Sequence, residues 1–247
     1  MKKTAFVLLI LTLVSCAELE QIAEDIYTTQ SSTSPTQSEI VKGLKEALRV
    51  GTDTAVNQLS KVNGYYQDEL VKILLPEEAD VIIENVNKIP GGDQLVNKVI
   101  KSINRAAEDA STEAAPVFKQ SITSMSISDA LNILNGADTA ATHYLRKTTY
   151  QQLYNLYKPK IKASIHKDLV GNVSTGEAWK ELTGAWNKFA QSMVGQIGGY
   201  ETVNINLEDY LTHKALNGLF IKIAEEEKQI RKDPVSRVTE ILRRVFG

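Results

Sequence analysis

Apolar residues recur at steps of three and four along most of this chain, a spacing that predicts one helix after another. Ile40, Val41, Leu44, Ala47, Leu48, Ala55, Val56 and Leu59 mark the first, with Ser38 placed to cap it. Gly51 is either a packing point or a kink in that helix, and Gly64 ends the segment. Pro76 suits the start of the next helix, because Glu77 and Glu78 then fall in its first turn and complement the helix dipole. Pro90-Gly91-Gly92 stops it, and Asp93 is a candidate cap for the third helix.

From Leu95 through Ile103, Ala106, Ala107, Ala110 and Ala114 to Phe118, the apolar positions gather on one side of a single predicted helix. Its alanines allow close approach, so this helix is expected at the centre, bent at Pro116. Further helices are predicted from Ser126 or Ser128 to Gly136, and from Ala140 until Pro159 interrupts. Another runs over Glu177–Met193, with Trp179 and Trp186 on it. Residues 194–206 form a glycine-bearing loop, after which Asn206 caps a helix through Leu207, Leu211, Ala215, Leu219 and Ile223. Asp233-Pro234 opens a last helix with Val235, Val238, Ile241 and Leu242 inward. Alternation of period two never extends beyond a few residues, so the expected fold is all-α: an irregular multi-helix bundle with no substantial sheet.

The start of the chain breaks this pattern. Lys2 and Lys3 precede an apolar run, Ala5 to Val14, that is too short to span a bilayer. Leu13-Val14-Ser15-Cys16 resembles the lipobox of bacterial lipoproteins, and Cys16 is the single cysteine. Residues 1–15 are therefore read as a lipoprotein signal peptide and Cys16 as the lipidation site. Residues 16–37, polar and rich in Ser and Thr, are the lipidated N-terminus and tether, and 38–247 one helical domain. Ala17 after the cysteine favours, by the same resemblance, the outer membrane and a body facing the periplasm. Removing residues 1–15 leaves 232 residues and takes the formal net charge from −2 to −4. A weakly acidic chain gives no electrostatic footing for nucleic acid.

Several ordered motifs resemble one family: Gly43-Leu44-Lys45-Glu46-Ala47-Leu48, Asn104-Arg105-Ala106-Ala107-Glu108, Ile133-Leu134-Asn135-Gly136, Ala140-Ala141-Thr142-His143-Tyr144 and Ala215-Leu216-Asn217-Gly218-Leu219-Phe220. With Glu225-Glu226-Glu227 and Arg231-Lys232-Asp233-Pro234 they are similar to the DUF4197 family of bacterial proteins of unknown function. The resemblance covers about residue 38 to residue 247. It implies an exported protein, often a lipoprotein, and carries no reaction.

The chain offers little chemistry. Arg105 and Glu108, one turn apart and opposite the apolar stripe, read first as a solvated ion pair. Under a second helix they become a buried junction, and with Asn104 they become a clamp for a carboxylate or phosphate. Glu227 and Arg231 are spaced for helix support, and a tertiary approach of Glu226 to Arg105 would complete a network. His143, His166 and His213 match no metal spacing, although Asp209 is placed to orient His213; His143-Tyr144 reads as packing before catalysis. Gly195, Gly198 and Gly199 follow a helix rather than a strand and do not form a phosphate cradle. No cofactor or metal is expected. The leading expectation is a non-enzymatic envelope lipoprotein, held to a membrane through lipidated Cys16, that binds an envelope protein or a small or lipid-like ligand between its helices or beside the 194–206 loop. The ligand-contacting candidates are Asn104, Arg105, Glu108, His143, Tyr144, Glu226 and Arg231. The alternatives are a hydrolase with Glu108 and Glu226 as paired carboxylates, and a structural envelope protein.

Overall fold

The computed structural model describes residues 36–167 and 174–246; Cys16, the signal peptide and the tether up to residue 35 lie outside them. The described residues are helical, with no strand among them. In order they form α1 Gln37–Leu59, a 3-10 turn Glu77–Ala79 running into α2 Asp80–Glu84, a second turn Val86–Lys88, α3 Gly92–Ser111, α4 Ala114–Ser124, α5 Ile127–Leu134, α6 Ala140–Ile165, α7 Thr175–Ala190, α8 Met193–Ile197, α9 Leu207–Lys232, a turn Pro234–Ser236 and α10 Glu240–Phe246. Residues 37–247 make one compact unit. The architecture is the irregular all-α bundle that the periodicity implies.

Two long helices, α6 and α9, pack on each other; α1 joins α9, and α3 joins α6 and α7. The alanines of α3 explain its central place: Ala106, Ala107, Ala110 and Ser111 are fully buried, so neighbouring backbones come close. Phe118 meets Phe220 edge to face at 6.0 Å between centroids, tying α4 to α9. Trp186, also fully buried, donates its indole N–H to the Glu201 carbonyl at 2.9 Å and fastens the loop before α9.

Several boundaries differ from the periodic reading, each for a local reason. The single helix expected from Asp93 to Phe118 is two, α3 and α4. The ring of Pro116 would meet the carbonyl four residues earlier, at Thr112, and the helix breaks there. Pro159, by contrast, lies inside an unbroken α6. The Asn155 carbonyl loses its helical donor there without ending the helix. α1 runs unbroken through Gly51, which is a packing point: it lies buried, where an added Cβ would stand 3.4 Å from Glu226 Cβ on α9. Asp93 does not cap α3, because Gly91 takes that position in the left-handed region at φ 68°. Ser126 does cap α5, in a capping box with Asp129. Val235 and Val238, expected inward, are exposed, and Leu242 is the buried residue of α10. No helix among the described residues is long and apolar enough to cross a membrane.

Candidate functional site

The polar residues singled out from the sequence include two buried struts, one joining α3 to non-helical chain and the other joining three helices. In the first, Asn104 on α3 is fully buried. Its amide donates to the carbonyls of Ile73 at 2.8 Å and Ile100 at 2.7 Å, while its Oδ1 accepts the Ile73 N–H at 2.9 Å. One turn on, Glu108 accepts the backbone N–H groups of Tyr65 at 3.2 Å and Tyr66 at 3.3 Å. Arg105 donates to Glu108, and to Asn63 Oδ1 at 2.7 Å. Asn63 has φ 73°, a left-handed conformation that the guanidinium contact helps hold. What covers the polar side of α3 is therefore a turn and an extended segment, residues 60–76, and not another helix.

In the second strut, Glu227 on α9 accepts the N–H groups of Ala141 at 3.0 Å and Thr142 at 2.8 Å, and the Thr142 hydroxyl at 2.8 Å. Arg231 lies 2.9 Å from Glu227 and donates to the Ile133 carbonyl at 2.8 Å. Thr139 gives α6 no side-chain cap, and Glu227 supplies one from another helix. A cavity of about 20 Å³ beside this pair, walled by Leu44, Leu48, Gly51, Ile223 and Ile230, is water-sized at most.

The remaining candidates are dispersed. Glu226 accepts from Gln58 at 3.1 Å, and burial raises its pKa above the ordinary carboxylate range. The described residues contain no ion pair between Glu226 and Arg105; the partners of Arg105 are Glu108 and Asn63. Glu108 and Glu226 belong to separate hydrogen-bond sets. His143 is exposed and Tyr144 half-buried, with burial raising the tyrosine pKa. His213 Nδ1 bonds Tyr150 at 2.7 Å, whereas Asp209 takes Tyr154 at 2.7 Å and Lys158 at 2.7 Å, so Asp209 does not orient the ring. Among the described residues no group of three or more His, Cys, Asp or Glu is placed to hold a metal ion.

The concave surface lies elsewhere. A groove of about 820 Å³ runs between residues 70–80 and α9, with Ile83 of α2 and Arg146 of α6 at its margins. Its apolar lining includes Leu70, 62% exposed, Leu74, 57% exposed, and Ile83 and Ile221. Glu77, Glu78 and Asp80 line it near Tyr210, over whose ring Lys214 lies at 5.5 Å, and Arg146 lines it near Asn217; among the described residues none of these five has an ion-pair partner. Tyr210 bridges the walls by donating to the Leu74 carbonyl at 2.9 Å; burial and the three acids push its pKa up to about 12. Arg146 lies over the Phe220 ring at 4.6 Å and donates to Asn217 at 3.0 Å. A second depression of about 560 Å³ is bounded by Glu78, Val81 and residues 199–205.

The sequence motifs do not announce this groove. Its wall comes from Leu70-Val71-Lys72-Ile73-Leu74-Leu75, a short apolar run that periodicity alone does not separate from helix. The sequence signal is slight: one apolar-polar-apolar step at Val71-Lys72-Ile73, with Pro76 shortly after. The sequence struts act on it indirectly, since Asn104 fixes Ile73 in that wall.

A family model described as "Protein of unknown function (DUF4197)" matches residues 34–247. No curated protein and no solved structure matches the chain.

Proposed function

The chain belongs to the DUF4197 family, which assigns no chemistry, and from that premise we propose a lipid-anchored envelope protein whose helical body binds a partner in the groove between residues 70–80 and α9. The observation that carries this reading is the set of half-exposed Leu70, Leu74, Ile83 and Ile221 around one concavity. Taking such a side chain from full exposure to full burial is worth roughly 1.5–3 kcal/mol, and covering these half-exposed ones yields about half of that each, so a ligand that covers them has a source of affinity. The charges lining it, without ion-pair partners among the described residues, supply orientation. The anchor rests on the leader and on Cys16. It holds the body at a bilayer, in the outer membrane facing the periplasm, and leaves binding to the domain.

Two measurements test the two parts. Mass spectrometry of the mature protein should find residues 1–15 removed and an acylated Cys16; an unmodified thiol or a retained leader rejects the anchor. A photo-crosslinking amino acid at Leu74 or Ile221 should give a discrete adduct in intact cells, and the same probe at exposed Val235 should give none. Equal labelling from all three positions rejects the groove.

A further inference from the structure

Resting on that groove as the binding site, we propose that its occupant is an extended polypeptide segment that pairs edge-on with Lys72–Leu74, in the manner of an added β-strand. Residues 72–76 have neither helix nor turn structure, and Val71, Ile73 and Leu75 face inward while Leu74 faces out. That is strand alternation in an all-helical protein. One edge of the segment is already paired. Asn104 gives to and takes from the Ile73 backbone as a neighbouring strand residue would.

The other edge is half paired. Lys72 donates its N–H to the Asp68 carbonyl at 2.8 Å, and Leu74 C=O accepts from Tyr210. The Lys72 C=O and Leu74 N–H that lie between them have no partner among the described residues. By strand geometry the two point the same way, spaced to meet the backbone of a second extended chain. A hydrocarbon ligand leaves both groups without a hydrogen bond, whereas a peptide backbone satisfies both and places alternate side chains against Leu70 and Leu74.

The charged margins add a pattern. Tyr210, near the acidic side, and Asn217, bonded to Arg146, are seven residues apart on α9, about 10 Å at 1.5 Å per residue. About three residues of extended chain cover that distance. The favoured segment therefore carries a basic and an acidic side chain about three residues apart, with apolar residues between them.

The test uses the detergent-solubilised mature protein and a phage-displayed library of random dodecapeptides, with the groove-wall variant Ile221→Arg for counter-selection. Enrichment of peptides with a base and an acid three apart is expected. Two arms then examine the backbone pairing. Leu74→Pro deletes one edge N–H and should weaken a selected peptide about tenfold. N-methylation, scanned along that peptide, should do the same at one amide and little at most others. If Leu74→Pro unfolds the protein, the N-methyl scan decides. No enrichment over Ile221→Arg overturns the proposal, as do peptides that tolerate methylation at every amide. A Leu74 crosslink in cells combined with either result leaves the groove as a binding site and removes the strand-pairing occupant. Peptide selection without any cellular crosslink has the opposite meaning: it supports the edge chemistry and sinks the groove's proposed role in the cell.

Discussion

Glu227 and Arg231 stand one turn apart on α9, and each closes the end of a helix to which neither belongs. The carboxylate takes two N–H groups at the start of α6, and the guanidinium takes a carbonyl at the end of α5. An anion at a helix N-terminus and a cation at a C-terminus are both the favoured signs. The pair thus joins three helices across the short loop of residues 135–139.

Glu227→Ala leaves Arg231 buried without its partner and strips the start of α6 of its cap. The expected loss is about 3–5 kcal/mol, measured by chemical denaturation. The double variant with Arg231→Ala should cost less than the sum of the two single changes, because both break one network.

Asn104→Leu preserves approximate volume but removes three hydrogen bonds. Ile73 is buried, so its N–H and C=O are left unsatisfied, at a cost of about 3 kcal/mol. Hydrogen exchange at the Ile73 amide should quicken more than exchange within α6. Equal protection in both proteins would mean that something else holds the segment.

Gly218→Ala tests how tightly the groove wall lies on α9. The added Cβ would stand 2.7 Å from Cε1 of Tyr65 and 3.2 Å from Cβ of Val71. Tyr65 is fully buried and its hydroxyl donates to the Ala215 carbonyl at 2.8 Å, so the ring has no room to retreat. A loss of about 1–3 kcal/mol is expected despite the better helix propensity of alanine.

Glu226 sets a pH dependence. Burial raises its native pKa, with the Gln58 hydrogen bond opposing, so the folded state binds this proton more tightly than the unfolded chain. Its ionisation therefore costs stability above the raised native value, and that cost disappears as the pH falls to the unfolded value. Glu226→Gln should stabilise the protein at pH 7 by less than about 1 kcal/mol, since the group is partly solvated, and the gain should fade below about pH 4. Thermal melts of both proteins across that range check the sign; a gain that grows in acid contradicts it.

The helices that stand alone in periodicity were legible from it. Apolar stripes, the Ser126 capping box and the alanines of α3 act within a few residues, and local spacing reports them. Arg105 and Glu108 were legible as a pair, but the pair's burial depended on the turn at Asn63–Tyr66, more than forty residues away in the chain. The prolines were not separable in this way: Pro116 stands in the first turn of α4 at a helix break and Pro159 lies inside α6, although both prolines and the residues four before them, Thr112 and Asn155, are exposed.

By itself the sequence determined a helical domain, its family, and the residue types of both struts, because propensity, capping and amphipathic spacing are short-range. Tertiary structure decided that residues 72–75 leave a turn and run extended beside α9, that Asn104 serves their backbone, and that a groove opens there. Those features depend on which distant surfaces meet. A six-residue apolar run becomes a helix or a strand-like wall according to whether its backbone groups find partners in its own turns or in a side chain thirty-one residues away.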